Sequence, residues 1–372
     1  MSAVKQKIEA VIDGDDSAAN PLLRVVLWGA SLLYGAAVRF RAASYRRGLL
    51  KTRRLPCKVV SVGNIVVGGT GKTPLTMHVT AMIRKMGFKV VVLSRGYKGK
   101  AETSGGIVSD GRKVLLDARM AGDEPCMMAK GFADLDVPVV VGRKRFKTGM
   151  AAIKRFQPEV IVLDDAFQHL GLARDLDLVL VNGNRSGSRQ YLLPRGPLRE
   201  PLSALGRCDA LILVRSSDKE QEPRPAALSG LSAKRPIFQV RPHAYVARII
   251  PPRTEDPQRF PPERDFGAAK PVFGFCGIAG NERFKRTLGQ LSCDVRGFAG
   301  FADHHAYSDH DLKTILAAAR QARAEYLITT EKDWVRIVDK LPLPMKLVVI
   351  GVKLDFGPDT GAFTDFLKEK LY

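Results

Sequence analysis

The sequence predicts an α/β protein of two domains, each built on a sheet flanked by helices. Three observations carry this. Short β-branched runs alternate with helical stretches along most of the chain, the pattern of parallel strands joined by helical crossovers. Within it, Ser61-Val62-Gly63-Asn64-Ile65-Val66-Val67-Gly68-Gly69-Thr70-Gly71-Lys72-Thr73-Pro74 separates a strand-like run, Lys58–Val60, from a helical one, Leu75–Lys85. The length, 372 residues with 45% hydrophobic content, suffices for about two cores.

Strand, glycine loop, Gly-Lys-Thr and helix together are what a phosphate-binding loop requires. Glycines let backbone N–H groups close on phosphate oxygens, and the helix start adds free N–H groups and a positive dipole end. Residues Val66 to Thr73 are the candidate nucleotide cradle: Val66, Val67, Gly68, Gly69, Thr70, Gly71, Lys72 and Thr73. Lys72 would reach the β- and γ-phosphates and the Thr73 hydroxyl would ligate Mg²⁺. The loop is not the common one. Val66 stands where the full pattern asks for glycine, and Val67 where the membrane-cycling ATPases carry lysine. The bland alternative is a glycine-rich turn that binds nothing.

Further along, Lys89–Leu93 reads as a strand ending at Ser94-Arg95-Gly96-Tyr97, and Ile107–Leu116 as a small hairpin around Asp110-Gly111. Gly122-Asp123-Glu124-Pro125 opens a helix with two acids in its first turn. Pro138–Val141 is a strand, and a helix runs on to Phe156. Glu159–Leu163 is an apolar strand that ends in Asp164-Asp165. A strand ending in aspartate is the partner a phosphate loop needs, because a carboxylate must hold the metal or its water shell opposite Thr73. Asp177–Val181 and Cys208–Arg215 complete this set, with a proline-pinned loop from Leu192 to Pro201 between them. In such sheets ligands bind at the carboxyl ends of the strands.

Ser216–Lys234 and Pro251–Lys270 read as polar, proline-bearing connections, with an extended segment at Ile237–Ile250 between them. A second α/β pattern begins at Pro271. It includes Val295–Phe301, then Asp303-His304-His305, a helix at Leu312–Arg323, a strand at Tyr326–Thr329, and Thr330-Glu331-Lys332-Asp333 opening another helix. The expected divisions are an N-terminal segment at 1–54, a nucleotide-binding domain at 55–235, a linker at 236–270 and a second domain at 271–372.

Lysine and arginine exceed aspartate and glutamate by 21, which implies an anionic partner. The N-terminus narrows the choice. Residues 1–20 lack a signal-peptide pattern. Pro21–Val38 is apolar apart from Arg24, and its uncharged core, Val25–Val38, is short of the ~20 residues a spanning helix needs. Arg39, Arg41, Arg46, Arg47, Lys51, Arg53 and Arg54 follow, with no acid between Ser17 and Arg54. That suits a helix lying at a membrane interface on acidic head groups; the alternative is a helix packed on the first domain. No aromatic-interleaved basic platform points to nucleic acid. Five scattered cysteines without metal-ligand spacing imply reduced thiols. Oligomeric state has no sequence signal.

Taken in order, the motifs resemble the tetraacyldisaccharide 4'-kinases, the lipid A 4'-kinases of Gram-negative bacteria. The residues that carry the resemblance run from Leu33-Tyr34-Gly35 through Val62-Gly63-Asn64, Gly68–Pro74, Ser94–Tyr97, Gly122–Pro125 and Asp164-Asp165 with Gln168-His169. They continue through Arg174-Asp175-Leu176, Leu193-Pro194 with Gly196–Glu200, Gly277-Ile278 and Asp303-His304 to Thr330–Asp333. Arg195 replaces a frequent alanine, and the proline usual after Gly277-Ile278 is absent. The resemblance implies a P-loop NTPase-like α/β/α domain, a smaller second α/β domain and a short strand linker. It implies ATP and Mg²⁺, and transfer of the γ-phosphate to the 4'-hydroxyl of a tetraacyldisaccharide 1-phosphate at the cytoplasmic face of the inner membrane. It assigns Asp123 as general base assisted by His304, with Asp164 and Asp165 serving Mg²⁺, and puts Arg199 and Glu200 near the phosphates and metal. The competing reading is a membrane-recruited regulatory ATPase, which the valine at position 67 weakens. His169 is either a group near the metal or a packed core histidine. Thr330–Asp333 reads as a helix cap.

Overall fold

The computed structural model describes residues 7–8, 10–12, 20–182, 191–215, 235–252, 266 and 269–372. The connection expected at Ser216–Lys234, and most of that at Pro251–Lys270, lie outside the described residues. The chain divides into two compact units. One comprises Met1–Arg95, Lys144–Pro242 and Leu354–Tyr372; the other comprises Gly96–Arg143 and His243–Lys353. Residues 96–143, kept within 55–235 by the sequence reading, thus group with His243–Lys353, while Leu354–Tyr372 groups with the first unit.

The first unit is built on parallel strands β1 (Lys58–Asn64), β2 (Val90–Ser94), β5 (Val160–Asp164), β6 (Leu176–Asn182) and β7 (Ala210–Val214). Their order is β7-β6-β1-β5-β2, and the start of β8 (Ile237–Ile250) pairs alongside β7. Almost every residue of β1, β2 and β5 is buried, as expected of strands covered on both faces. The pairing Val62↔Asp164 puts the aspartate at the carboxyl end of the sheet, beside the strand that feeds the glycine loop. Helix α2 (Lys72–Lys85) begins at Lys72, one turn earlier than Leu75, because Gly71 takes the left-handed φ of +92° and turns the chain into it.

Helix α1 (Pro21–Arg46) is 26 residues long, eight more than the apolar run suggested. Asn20 caps it by accepting the Leu23 N–H, and Pro21 sits in the first turn, where a missing N–H is no loss. Its buried stripe is Leu27, Ser31, Gly35 and Ser44. The Ser31 hydroxyl donates to the Leu192 carbonyl (2.9 Å), and a Cβ on Gly35 would lie 2.7 Å from Leu192 Cδ1. The other face exposes Leu22, Val25, Val26, Leu32, Leu33 and Phe40. By length and composition α1 is long enough and apolar enough to cross a membrane.

In the second unit β9 (Pro271–Cys276), β10 (Asp294–Gly300), β11 (Tyr326–Thr330) and β12 (Lys346–Asp355) form a parallel set in the order β10-β9-β11-β12. Val272, Phe284, Leu288, Ile328 and Val348 fill its core. Strands β3 (Gly106–Ser109) and β4 (Val139–Val141) pair antiparallel, and Asp110-Gly111 turns the expected hairpin, closed by a Ser109↔Val114 bridge. Helices α3 (Asp123–Gly131), α5 (Asn281–Gln290), α6 (Asp309–Gln321) and α7 (Glu331–Ile337) belong to this unit, while α4 (Arg145–Phe156) and α8 (Thr360–Leu371) belong to the first.

Candidate active site

Two clusters gather the residues singled out from sequence, one in each unit. In the first unit, the loop from Ile65 to Gly71 is fastened from behind. The Val67 N–H donates to the Pro197 carbonyl (2.9 Å), and the Arg199 N–H donates to the Ile65 carbonyl (2.7 Å). Val66 bridges Leu198. This zipper brings Arg199 and Glu200 beside the loop although more than a hundred positions separate them in sequence. The Asn64 amide donates to the Thr70 hydroxyl (2.7 Å), and Gln168 in turn donates to the Asn64 carbonyl (2.8 Å). A Cβ on Gly68 or Gly69 would meet nothing within 4 Å, so the loop faces open space where an anion would lie.

The two aspartates after β5 stand in different surroundings. Asp164 is buried; it accepts from the Thr76 hydroxyl (2.9 Å) and the Ser94 hydroxyl (3.2 Å), and its carbonyl accepts from Arg145 (3.2 Å). Asp165, at a left-handed φ of +48°, turns toward the loop. Arg199 Nη1 lies 3.0 Å from both its oxygens and Lys72 Nζ is 3.8 Å away. Thr73 is buried at the helix start. Glu200, also buried, is paired with Arg207 (2.6 Å), whose guanidinium lies over the Phe167 ring (4.6 Å). Burial, followed by the charges of Arg145, Arg174 and Arg41, pushes the half-buried His169 imidazole down to about 4, which keeps it neutral near pH 7.

Thr73, Asp165 and Glu200 offer hard oxygen donors of the kind Mg²⁺ takes. Among the described residues no group of three or more His, Cys, Asp or Glu could hold a metal alone.

In the second unit His304 Nδ1 lies 2.6 Å from Asp123 Oδ2, a pairing across 181 positions of sequence. Asp123 opens α3 directly after Gly122, whose φ is +87°. His304 itself is at φ +63°, an uncommon conformation for a side-chain-bearing residue, fixed by its N–H donating to the Gly277 carbonyl (3.0 Å). The Tyr97 ring meets the His304 ring edge-on at 6.1 Å. Burial alone would raise the Asp123 carboxyl; hydrogen bonds from His304 and Arg336, with the Arg336 charge, outweigh it and hold the group below its ordinary value. His305 is occupied elsewhere: it pairs with Asp311 (3.1 Å) and stacks on Phe301.

A family model for tetraacyldisaccharide-1-P 4'-kinase matches residues 23–372. The chain belongs to the tetraacyldisaccharide 4'-kinase family. It is 37% identical to the tetraacyldisaccharide 4'-kinase of Desulfatibacillum aliphaticivorans over 373 residues, covering 100% of this chain and 99% of that protein. It is 39% identical to that of Pelobacter propionicus over 342 residues, covering 92% and 91%. The crystal structure of "apo" form LpxK from Aquifex aeolicus in complex with ATP matches with a TM-score of 0.74 at 31% identity, over 94% of this chain and 100% of that one. The 4'-kinase family makes this chain an enzyme, a phosphotransferase, and the fold is P-loop NTPase-like.

Several residues around these clusters carry no motif of their own. Thr76 lies one turn past Lys72, where a hydroxyl on the sheet-facing side of α2 can reach Asp164. Arg336 lies three positions after Asp333 on α7, a spacing that brings two side chains onto one helix face and is the one signal that could have found it.

Proposed function

We propose that this 4'-kinase transfers the γ-phosphate of ATP to the 4'-hydroxyl of tetraacyldisaccharide 1-phosphate, the lipid A precursor. The observation that carries the reading is the strand–loop–helix unit, with open space over Gly68 and Gly69 and with Lys72 and Thr73 at the start of α2. The main chain of Val66 to Gly71 and the start of α2 would hold the phosphates, with Lys72 on the β- and γ-oxygens. Thr73 and Asp165, with Glu200 beside them, would hold Mg²⁺, whose charge offsets the negative charge gathering on the phosphoryl oxygens. Asp164 would act from behind, tying α2 to β2 through Thr76 and Ser94. Arg199 would leave Asp165 for the γ-phosphate.

In the reaction the bond between the γ-phosphorus and its bridging oxygen breaks while one to the sugar oxygen forms. Asp123 takes the hydroxyl proton, and His304 holds the carboxylate oriented by its 2.6 Å contact. Tyr97 beside His304 would contribute to the acceptor surface.

The acceptor carries acyl chains and resides in a bilayer. The exposed apolar face of α1, followed by its arginines, suits the cytoplasmic face of the inner membrane with acidic lipids. Two further side chains of the same helix reach the loops around the nucleotide cradle: the half-buried Tyr34 hydroxyl donates to the Arg199 carbonyl (2.9 Å), and the exposed Arg41 donates to the Gln168 carbonyl (3.1 Å). The test is γ-labelled ATP with tetraacyldisaccharide 1-phosphate in detergent micelles. Label appearing on the glycolipid supports the reading. ATP hydrolysis at the same rate with and without the acceptor points to a regulatory ATPase instead.

A further inference from the structure

Helix α7 begins with Thr330-Glu331-Lys332-Asp333, which reads from sequence as a cap, and Thr330 does cap it. Asp333, however, is fully buried and does more than face its cap. It accepts from the Gly277 N–H (2.9 Å), the Tyr307 hydroxyl (2.9 Å), the Thr330 hydroxyl (2.6 Å) and Arg336 Nη1 (2.9 Å). Arg336 Nη1 also donates to the Gly277 carbonyl (2.8 Å). One arm of the guanidinium is therefore anchored in the core of the unit. The other arm, Nη2, donates to Asp123 Oδ2 at 2.6 Å. His304 Nδ1 reaches the same oxygen. Among the described residues no group donates to Oδ1 of Asp123.

We propose that Arg336 is a positioning residue for phosphoryl transfer: its fork, anchored on Asp333, clamps Oδ2 of Asp123 and so presents Oδ1 to the acceptor hydroxyl. This rests on Asp123 acting on that hydroxyl, as proposed above. A planar fork suits the role because it fixes direction as well as charge, which an ammonium cannot.

The clamp has a pH signature. The other charged groups around Asp123 are already engaged. Lys332 pairs with Glu124, Asp303 lies 3.6 Å from His304 Nε2, and the neighbouring Cys126 thiol is pushed up to about 11 by burial and stays neutral. Removing the Arg336 charge leaves burial less opposed, so the Asp123 carboxyl rises. Transfer needs the carboxylate, so the acid limb of the rate profile moves to higher pH.

The experiment measures kcat and KM against pH for full-length Arg336→Gln, Arg336→Lys, Asp123→Asn and the Asp123→Asn/Arg336→Gln pair, with labelled ATP and acceptor in micelles. Arg336→Gln should lose about 10²-fold in kcat with KM for ATP kept within about twofold, and its acid limb should rise by about one pH unit. In the Asp123→Asn background the same change should cost no more than about twofold. Arg336→Lys keeps the charge but not the fork. It should leave the limb in place and lower kcat about tenfold at an unchanged melting temperature. An unshifted limb in Arg336→Gln, or its full loss repeated on top of Asp123→Asn, overturns the proposal. If Arg336→Gln does not fold, Arg336→Lys decides alone, and wild-type kcat in it overturns the proposal. Wild-type turnover in Asp123→Asn would instead remove the underlying assignment of the base.

Discussion

Neighbouring residues can share a motif and not a task, and Asp164 and Asp165 illustrate this. Asp164 accepts from the Thr76 and Ser94 hydroxyls, whereas Asp165 lies beside Lys72 and Arg199. Asp165→Asn should therefore raise the Mg²⁺ concentration for half-maximal activity by about tenfold with little change in stability, read from a magnesium titration beside a thermal melt. Asp164→Asn should show the reverse emphasis, losing about 1–3 kcal/mol of stability, since a buried hydroxyl then faces the wrong end of an amide. Lys72→Ala should abolish transfer. Asp123→Ala and His304→Ala should each lower turnover by about 10²-fold or more, with ATP affinity, measured by calorimetry, nearly kept. Turnover at the wild-type level in either would remove that residue from the mechanism.

At the scale of elements, the start of α3 depends on close backbone approach. Gly122 is at φ +87°, and a Cβ there would lie 2.7 Å from the Tyr97 carbonyl; one on Gly99 would lie 2.5 Å from the Met120 carbonyl. Gly122→Ala combines backbone strain with a clash against main chain. It should cost about 1–3 kcal/mol and, by displacing Asp123, lower kcat more than it raises KM for ATP. An activity loss fully reversed by cooling, in step with the melting curve, would show that only stability was affected. Helix α1 has two faces with separable consequences. Charges on the exposed face, in a Leu33→Glu/Phe40→Glu pair, should weaken sedimentation with anionic vesicles while leaving ATP binding intact. Substituting Gly35 should disturb both, because its neighbour Leu192 belongs to the loop that carries Arg199.

Across the whole molecule, charge governs how the enzyme responds to its surroundings. An excess of 21 basic residues makes attraction to an anionic surface long-ranged, so vesicle binding should fall as salt rises. Stability should respond to pH through His169. Its folded value near 4 lies below the ordinary value of about 6.5, so the unfolded chain binds the proton first as pH falls. The contribution is complete above about 6.5 and is lost progressively down to about 4. Urea melts across that window should show a slope that His169→Gln flattens; an unchanged slope would assign the acid sensitivity to other groups. Asp123 adds to the same trend at lower pH, since its depressed carboxyl favours the folded state above its unfolded value and loses that advantage as pH falls through the folded one.

The amino-acid sequence by itself determined the local devices: the strands and most of the helices, the glycine loop with Lys72 and Thr73, the apolar stripe before the arginines, and, through its motifs, the family. These are legible because their signals repeat every two or 3.6 residues or depend on a few adjacent side chains. Tertiary structure alone decided which of two adjacent aspartates faces the loop, that Asp123 and His304 share one compact unit, and that Arg336 grips the carboxylate His304 grips. Those partners lie 181 and 213 positions from Asp123. No periodicity links residues so distant; the parallel sheets and the helices packed on them bring them within hydrogen-bonding reach.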